Sequence, residues 1–175
     1  MNSMSDFFHE DIPFEFLDRV LDVIRETPQH RFQVLTKRSR RMLEYGDRIG
    51  GFPDNVWLGV SVGTDAMKFK IDHLRKTKAR TRFLSLEPLL ESLIPLDLTG
   101  IHWVIVGGLS GPHWKQHEMN PDWAREVRDV CVREDVPFFF KQSSAFKPGQ
   151  GTFLDGRRWK QYPDEKRRSV RRAAI

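Results

Sequence analysis

Five short apolar runs, each set off from the next by a longer or looser stretch, constrain this chain more than any other feature. FQVLT (32–36), VWLGVSV (56–62), RFLSL (82–86), WVIV (103–106) and PFFFK (137–141) are rich in β-branched and aromatic residues. Their apolar character is nearly continuous instead of alternating, as expected of strands covered on both faces in a parallel sheet. Helical spacing recurs outside them. Phe16, Val20, Val23 and Ile24 repeat on one predicted helical face over 14–27, and a shorter basic helix is expected over 39–45. Met67, Ile71 and Leu74 share a face over 65–77, and Trp123, Val127, Val130 and Cys131 do so over 121–134. Asn120 before Pro121 is a helix start signal. Alternating strands and helices imply right-handed crossovers. The expected fold class is therefore α/β, with about five to six parallel strands in a sheet that is either open or curled into an incomplete (β/α) barrel. The 175 residues are too few for a complete eight-unit barrel of ordinary size, roughly 250 residues.

Charge is distributed unevenly along this frame. The formal net charge is +5, but residues 157–175 hold eight basic side chains against Asp164 and Glu165, a net of +6, so the preceding 156 residues sum to −1. This asymmetry divides the chain into an incomplete α/β domain, open or partly barrel-like, over 1–156 and a basic C-terminal tail over 157–175. Arg157, Arg158, Lys166, Arg167, Arg168, Arg171 and Arg172 are the candidates for contact with nucleic-acid phosphates. Cys131 is the only cysteine, which excludes an intrachain disulfide and a multi-cysteine metal site built by this sequence. Lying on an apolar stripe, it reads as a small buried hydrophobe. His113 and His117 have a ligand-like spacing but no third ligand nearby, so no metal site is expected. No apolar run reaches the ~20 residues a membrane helix needs, and no signal peptide pattern opens the chain, so a cytoplasmic protein without membrane contact is expected.

In parallel α/β architectures the working face lies beyond the C-terminal ends of the strands. Those ends are polar here and supply the candidate ligand-binding residues: Asp6, Lys37, Arg38, Ser61, Glu87, Gly107, Gly108, Ser110, Lys141 and Gln142. Glu87, before Pro88, suits a general base or a grip on a ligand hydroxyl or amine, and equally a carboxylate paired with Lys37 or Arg38. VGGLSG (106–111) reads either as a glycine loop approaching an anion or as a tight turn. Lys37 and Lys141 suit an anion clamp more than a Schiff base. Residues 2–6 read as the polar exit of a sixth strand.

Taken in order, NSMSDFFHEDIP, FQVLTKRSRRM, NVWLGVSV, RFLSLEPLL, GIHWVIVGGLSGP, the Trp123 helix, VPFFFKQ and LDGRRW resemble a phage-associated three-Cys-motif family, a radical-SAM-like group of unknown function. The resemblance implies a partial barrel whose full-length relatives use S-adenosylmethionine and a [4Fe–4S] cluster. It also implies three cluster cysteines in a segment preceding NSMSD, which this sequence does not contain. Leu109 stands where the resemblance implies an acidic residue, and Ser143-Ser144 where it implies Trp-Gly. The expectation is an N-terminally truncated or divergent member that holds no cofactor of its own and is inactive alone as a radical enzyme. It would associate with itself or with an upstream cysteine-bearing chain. The alternative is a nucleic-acid-associated accessory protein acting through the basic tail.

Overall fold

A computed structural model describes residues 6–163 of the chain. Its elements are α1 (Phe14–Glu26), β1 (Phe32–Thr36), α2 (Ser39–Arg48), β2 (Val56–Ser61), α3 (Phe69–Lys76), β3 (Thr81–Leu86), β4 (Trp103–Gly107), α4 (Pro121–Arg133) and β5 (Phe138–Gln142). All five strands pair in parallel, in the order β1-β2-β3-β4-β5, and the sheet is not closed. The expected α/β partial barrel is thus the observed class. The helix expected over 65–77 is divided into a 3₁₀ turn at Asp65–Met67 and α3, and a second 3₁₀ turn forms at Trp114–His117 before α4. Residues 2–5 lie outside the described residues, and Asp6 is not in a strand.

A strictly sequential parallel order has one geometric consequence. When every right-handed crossover steps the same way, every helix lands on the same face of the sheet. The side chains sort accordingly. Leu58, Val60, Leu84, Val104, Val106, Phe138 and Phe140 join Leu17, Leu21, Met42, Ile71, Leu74, Val127 and Cys131 in the main core. The opposite face holds a separate cluster of Trp57, Phe83 and Trp103, with Ile105 and Phe139 against it. Neighbouring residues of one strand, such as Trp57 and Leu58, belong to different clusters because successive side chains alternate sides.

α1 departs from its expected face. Leu17, Leu21 and Ile24 are the buried residues, whereas Phe16 and Val23 are 44% and 57% exposed. Two apolar stripes compete on this helix, and packing chooses the one that joins the main core. The other is partly screened by its own neighbours, with the Arg19 guanidinium 5.6 Å from the Phe16 ring centre. Met67 likewise lies at the surface, in the 3₁₀ turn before α3. α4 begins as expected, with the Asn120 side chain accepting from the Asp122 N–H.

The boundary drawn at 156/157 falls inside a packed segment. The Phe140 N–H donates to Trp159 O and the Gln161 N–H to Phe138 O, so residues 159–161 line the outer edge of β5. The chain then turns onto the face opposite the helices. Trp103 Nε1 donates to Gln161 O at 2.9 Å, and the Tyr162 ring stands 5.5 Å from those of Trp103 and Phe139. Residues 157–163 are part of the fold. Lys166, Arg167, Arg168, Arg171 and Arg172 lie outside the described residues. No described helix is long and apolar enough to cross a membrane.

Gly59 makes the aromatic face possible. It is paired with Phe83 across β2 and β3, and a Cβ at 59 would overlap the Phe83 ring. That ring cannot simply retreat, since it packs 5.6 Å from Trp103. Gly59→Ala should cost about 1–3 kcal/mol in urea unfolding, the usual penalty of overpacking, and adding Phe83→Leu should recover part of it.

Candidate functional site

The five strand exits lie along one edge of the sheet, but they do not form one uniform cluster. Three groupings result, at the exits of β1 and β2, of β3 to β5, and of β5 with the loop that follows.

At the β1 exit, Asp6 folds back over the end of the strand. One carboxylate oxygen accepts from the Thr36 hydroxyl at 2.6 Å and the Phe8 N–H at 3.0 Å, while the other accepts from the Lys37 N–H at 2.9 Å and Arg38 Nη1 at 3.2 Å. Thr36 Oγ1 in turn accepts from the Arg38 N–H. Asp6 therefore serves as a clasp between the N-terminal segment and the start of α2, with its acceptor capacity committed. Burial opposes its ionisation, but the hydrogen bonds from Thr36, Lys37, Phe8 and Arg38 outweigh burial and hold the carboxyl below its usual range. Lys70, from α3, was not among the expected residues because nothing in its local sequence marks it. Its ammonium donates to Ser61 O at 3.4 Å. Burial and the Lys37 charge push its pKa down, partly opposed by Asp6. The exits of β1 and β2 thus carry Lys37, Arg38 and Lys70 around one committed carboxylate.

At the exits of β3 to β5, Glu87 and Lys141 form an ion pair at 2.7 Å, with side chains 18% and 53% exposed. Glu87 was expected to pair, if at all, with Lys37 or Arg38; its partner is Lys141, two strands away across β4. Two features bring the groups together. A bulge pairs Val106 with Phe140 but Gly107 with Gln142, leaving Lys141 as the extra residue aimed off the regular ladder. Gly107 then leaves open the space between them, since a Cβ there would come within 2.9 Å of Glu87 Oε2. The Ser85 hydroxyl donates to the other Glu87 oxygen at 3.1 Å, and Ser61 is the register partner of Ser85.

The glycine loop reading of VGGLSG gives way to a packing role at its first two glycines. A Cβ on Gly108 would collide with the Ser144 backbone, so this glycine lets the exits of β4 and β5 lie side by side. Ser110 continues that contact as a bridge to Ala145. Gln142 is buried and ties the rim down: its amide donates to Gly108 O at 3.2 Å and its oxygen accepts from the Gly149 N–H at 2.7 Å. Gly107, Gly108, Ser110 and Gln142 thus shape the rim, and Glu87 and Lys141 are its chemically available pair.

Two surface hollows of similar size adjoin the sheet. One, of about 530 Å³, lies beyond the exit of β5 and is bordered by Ser143, Ser144 and Phe153. The other, of about 580 Å³, includes Thr81, His102 and Pro137 at the opposite edge, where strands begin, away from Glu87 and Lys141. Among the described residues no group of three or more His, Cys, Asp or Glu is placed to hold a metal ion. Cys131 is buried in the packed face of α4.

The Asp6 clasp sets a pH dependence. Its folded pKa is lowered, so its stabilisation is complete above the unfolded value of about 3.9 and is lost as pH falls through the folded value. Asp6→Asn should cost about 1–3 kcal/mol at neutral pH, and urea titrations should show a flatter acid limb of stability against pH than for the parent chain.

Residues 1–163 match the model of a family described as "Protein of unknown function (DUF5131)". No curated protein and no solved structure matches the chain. The match includes the Asp6 clasp, the Glu87–Lys141 pair and the packed 157–163 segment, and the chain belongs to the DUF5131 family.

Proposed function

We propose that this chain is the ligand-orienting part of a phage-associated, radical-SAM-like enzyme, and that its strand-exit rim receives S-adenosylmethionine. The observation that carries this reading is the Glu87–Lys141 pair, held at 2.7 Å at the solvent edge with Ser85 behind it. A carboxylate and an ammonium at that spacing complement a zwitterionic amino acid group. Glu87 would take the ligand's ammonium and Lys141 its carboxylate, each charge exchanging its present partner for the ligand's. The order of the strand-exit motifs along the chain supports the same reading.

The residues of this chain do not fit the iron–sulfur cluster. Three thiolates are needed to leave one iron open for the cofactor, and the sequence offers only the buried Cys131. No redox step is therefore assigned to these residues. In the proposed enzyme the cluster cysteines reach the rim from another polypeptide segment, and this chain binds and orients.

Thermal shift measurements with S-adenosylmethionine test the reading. At a ligand concentration near 100 times Kd the melting temperature should rise by about 5–10 °C, and Glu87→Gln or Lys141→Ala should abolish most of the rise. No rise in the parent chain, or an equal rise in both variants, contradicts the proposal.

The sheet edge bears on the partner. Among the described residues β1 pairs only with β2, while β5 is lined by 159–161. An open strand edge invites pairing with another chain. Sedimentation at micromolar concentration should show a species larger than the monomer, and a clean monomer would exclude self-pairing through this edge.

A further inference from the structure

The loop after β5 carries an exposed aromatic surface that the rim does not use. Phe146 is 62% and Phe153 53% exposed, although both are large apolar rings. The Arg158 guanidinium lies 4.8 Å from the Phe153 ring centre, and that of Arg157 lies 4.2 Å from the Trp159 ring centre. The charges beside these rings are unbalanced. Asp155, two residues before Arg157, is committed to Arg125 at 2.8 Å and to Arg128. Arg157, Arg158 and Lys160 are all exposed and form no ion pair among the described residues.

A hollow of about 530 Å³ opens beside Phe153. Phe153 is its exposed apolar ring, Met119 and Phe140 lie buried beneath it, and its polar lining includes Asn120, Ser143 and Ser144 with Glu118, Arg125 and Asp155 at the wall. The Asn120 oxygen caps α4 at the Asp122 N–H, which leaves its NH₂ group to face a ligand. An exposed stacking face, hydrogen-bonding edges and cations without an acidic partner among the described residues lie together here and suit a base and its flanking phosphates.

We propose that single-stranded nucleic acid binds this face, with a base stacked on Phe153 at the mouth of the hollow and the phosphates on Arg157, Arg158 and Lys160. A duplex fits the chemistry less well, because paired bases keep their faces within the stack. This site is separate from the Glu87–Lys141 rim, so the two proposals stand or fall independently.

Fluorescence anisotropy of labelled oligothymidine and oligouridine of about 15 nucleotides, with the full chain, tests the proposal. Affinity should fall with salt, and Arg158→Ala with Lys160→Ala should reduce the log–log salt slope by about 1.4, or about 0.7 for each lost phosphate contact. Phe153→Ala should weaken binding about 5- to 100-fold at fixed salt, and Phe153→Trp should retain it. All three positions are exposed, and unchanged melting temperatures would confirm that the variants fold. Saturable binding of either oligonucleotide with this Phe153 dependence supports the proposal. It is overturned by the absence of binding, by equal affinity for a blunt duplex, or by binding that ignores Phe153→Ala and so reports polyanion exchange alone.

Discussion

Sequential parallel pairing is the constraint on which the rest of this structure depends. With each crossover stepping in the same direction, helices can cover only one side of the sheet, and the strand residues divide at every second position between two environments. One side becomes a conventional aliphatic core against α1 to α4. The other must be closed by something that is not a helix. Large rings and the returning 157–163 segment do this, with Trp103 donating to Gln161 O and Tyr162 packed beside it. A run of apolar residues in each strand is needed to satisfy both sides at once, which explains why the five runs show so little alternation.

Close approach between strand exits is the second organising feature, and glycine is its instrument. Gly59 admits the Phe83 ring, Gly107 leaves room for the Glu87 carboxylate, and Gly108 lets the Ser144 backbone come near. Each acts by lacking a Cβ at a crowded point. The consequence for chemistry is direct. Lys141 reaches Glu87 across an intervening strand only because the residue between them has no side chain and because a bulge turns the lysine out of the ladder.

The rim and the loop surface divide the polar residues into two kinds of use. Asp6, Thr36 and Arg38 satisfy one another, so their charges and hydroxyl serve the joint between the N-terminal segment and α2. Glu87 and Lys141 satisfy one another at the solvent edge, the place at which the proposed ligand would exchange with each. Arg157, Arg158 and Lys160 have no acidic partner among the described residues and lie beside exposed rings. Exposure and the commitment of neighbouring acceptors, more than residue type, separate a structural clasp from an available site.

The sequence by itself determined the α/β class, the positions of the five described strands, the start of α4 at Asn120 and the polar character of the strand exits, because each is written in a short contiguous window: an apolar run, a capping pair or a residue following a strand. It also located Glu87 and Lys141 as exit residues. Only the tertiary structure decided that these two face one another, that Asp6 is spent on a clasp, that Lys70 comes in from α3, and that the stripe of Leu17 and Leu21, not that of Phe16, is buried in α1. It likewise showed that 157–163 belongs to the fold despite the basic composition it shares with the residues after it. Those outcomes depend on strand order, register and a single bulge, which bring together residues dozens of positions apart, and no local pattern encodes such distances.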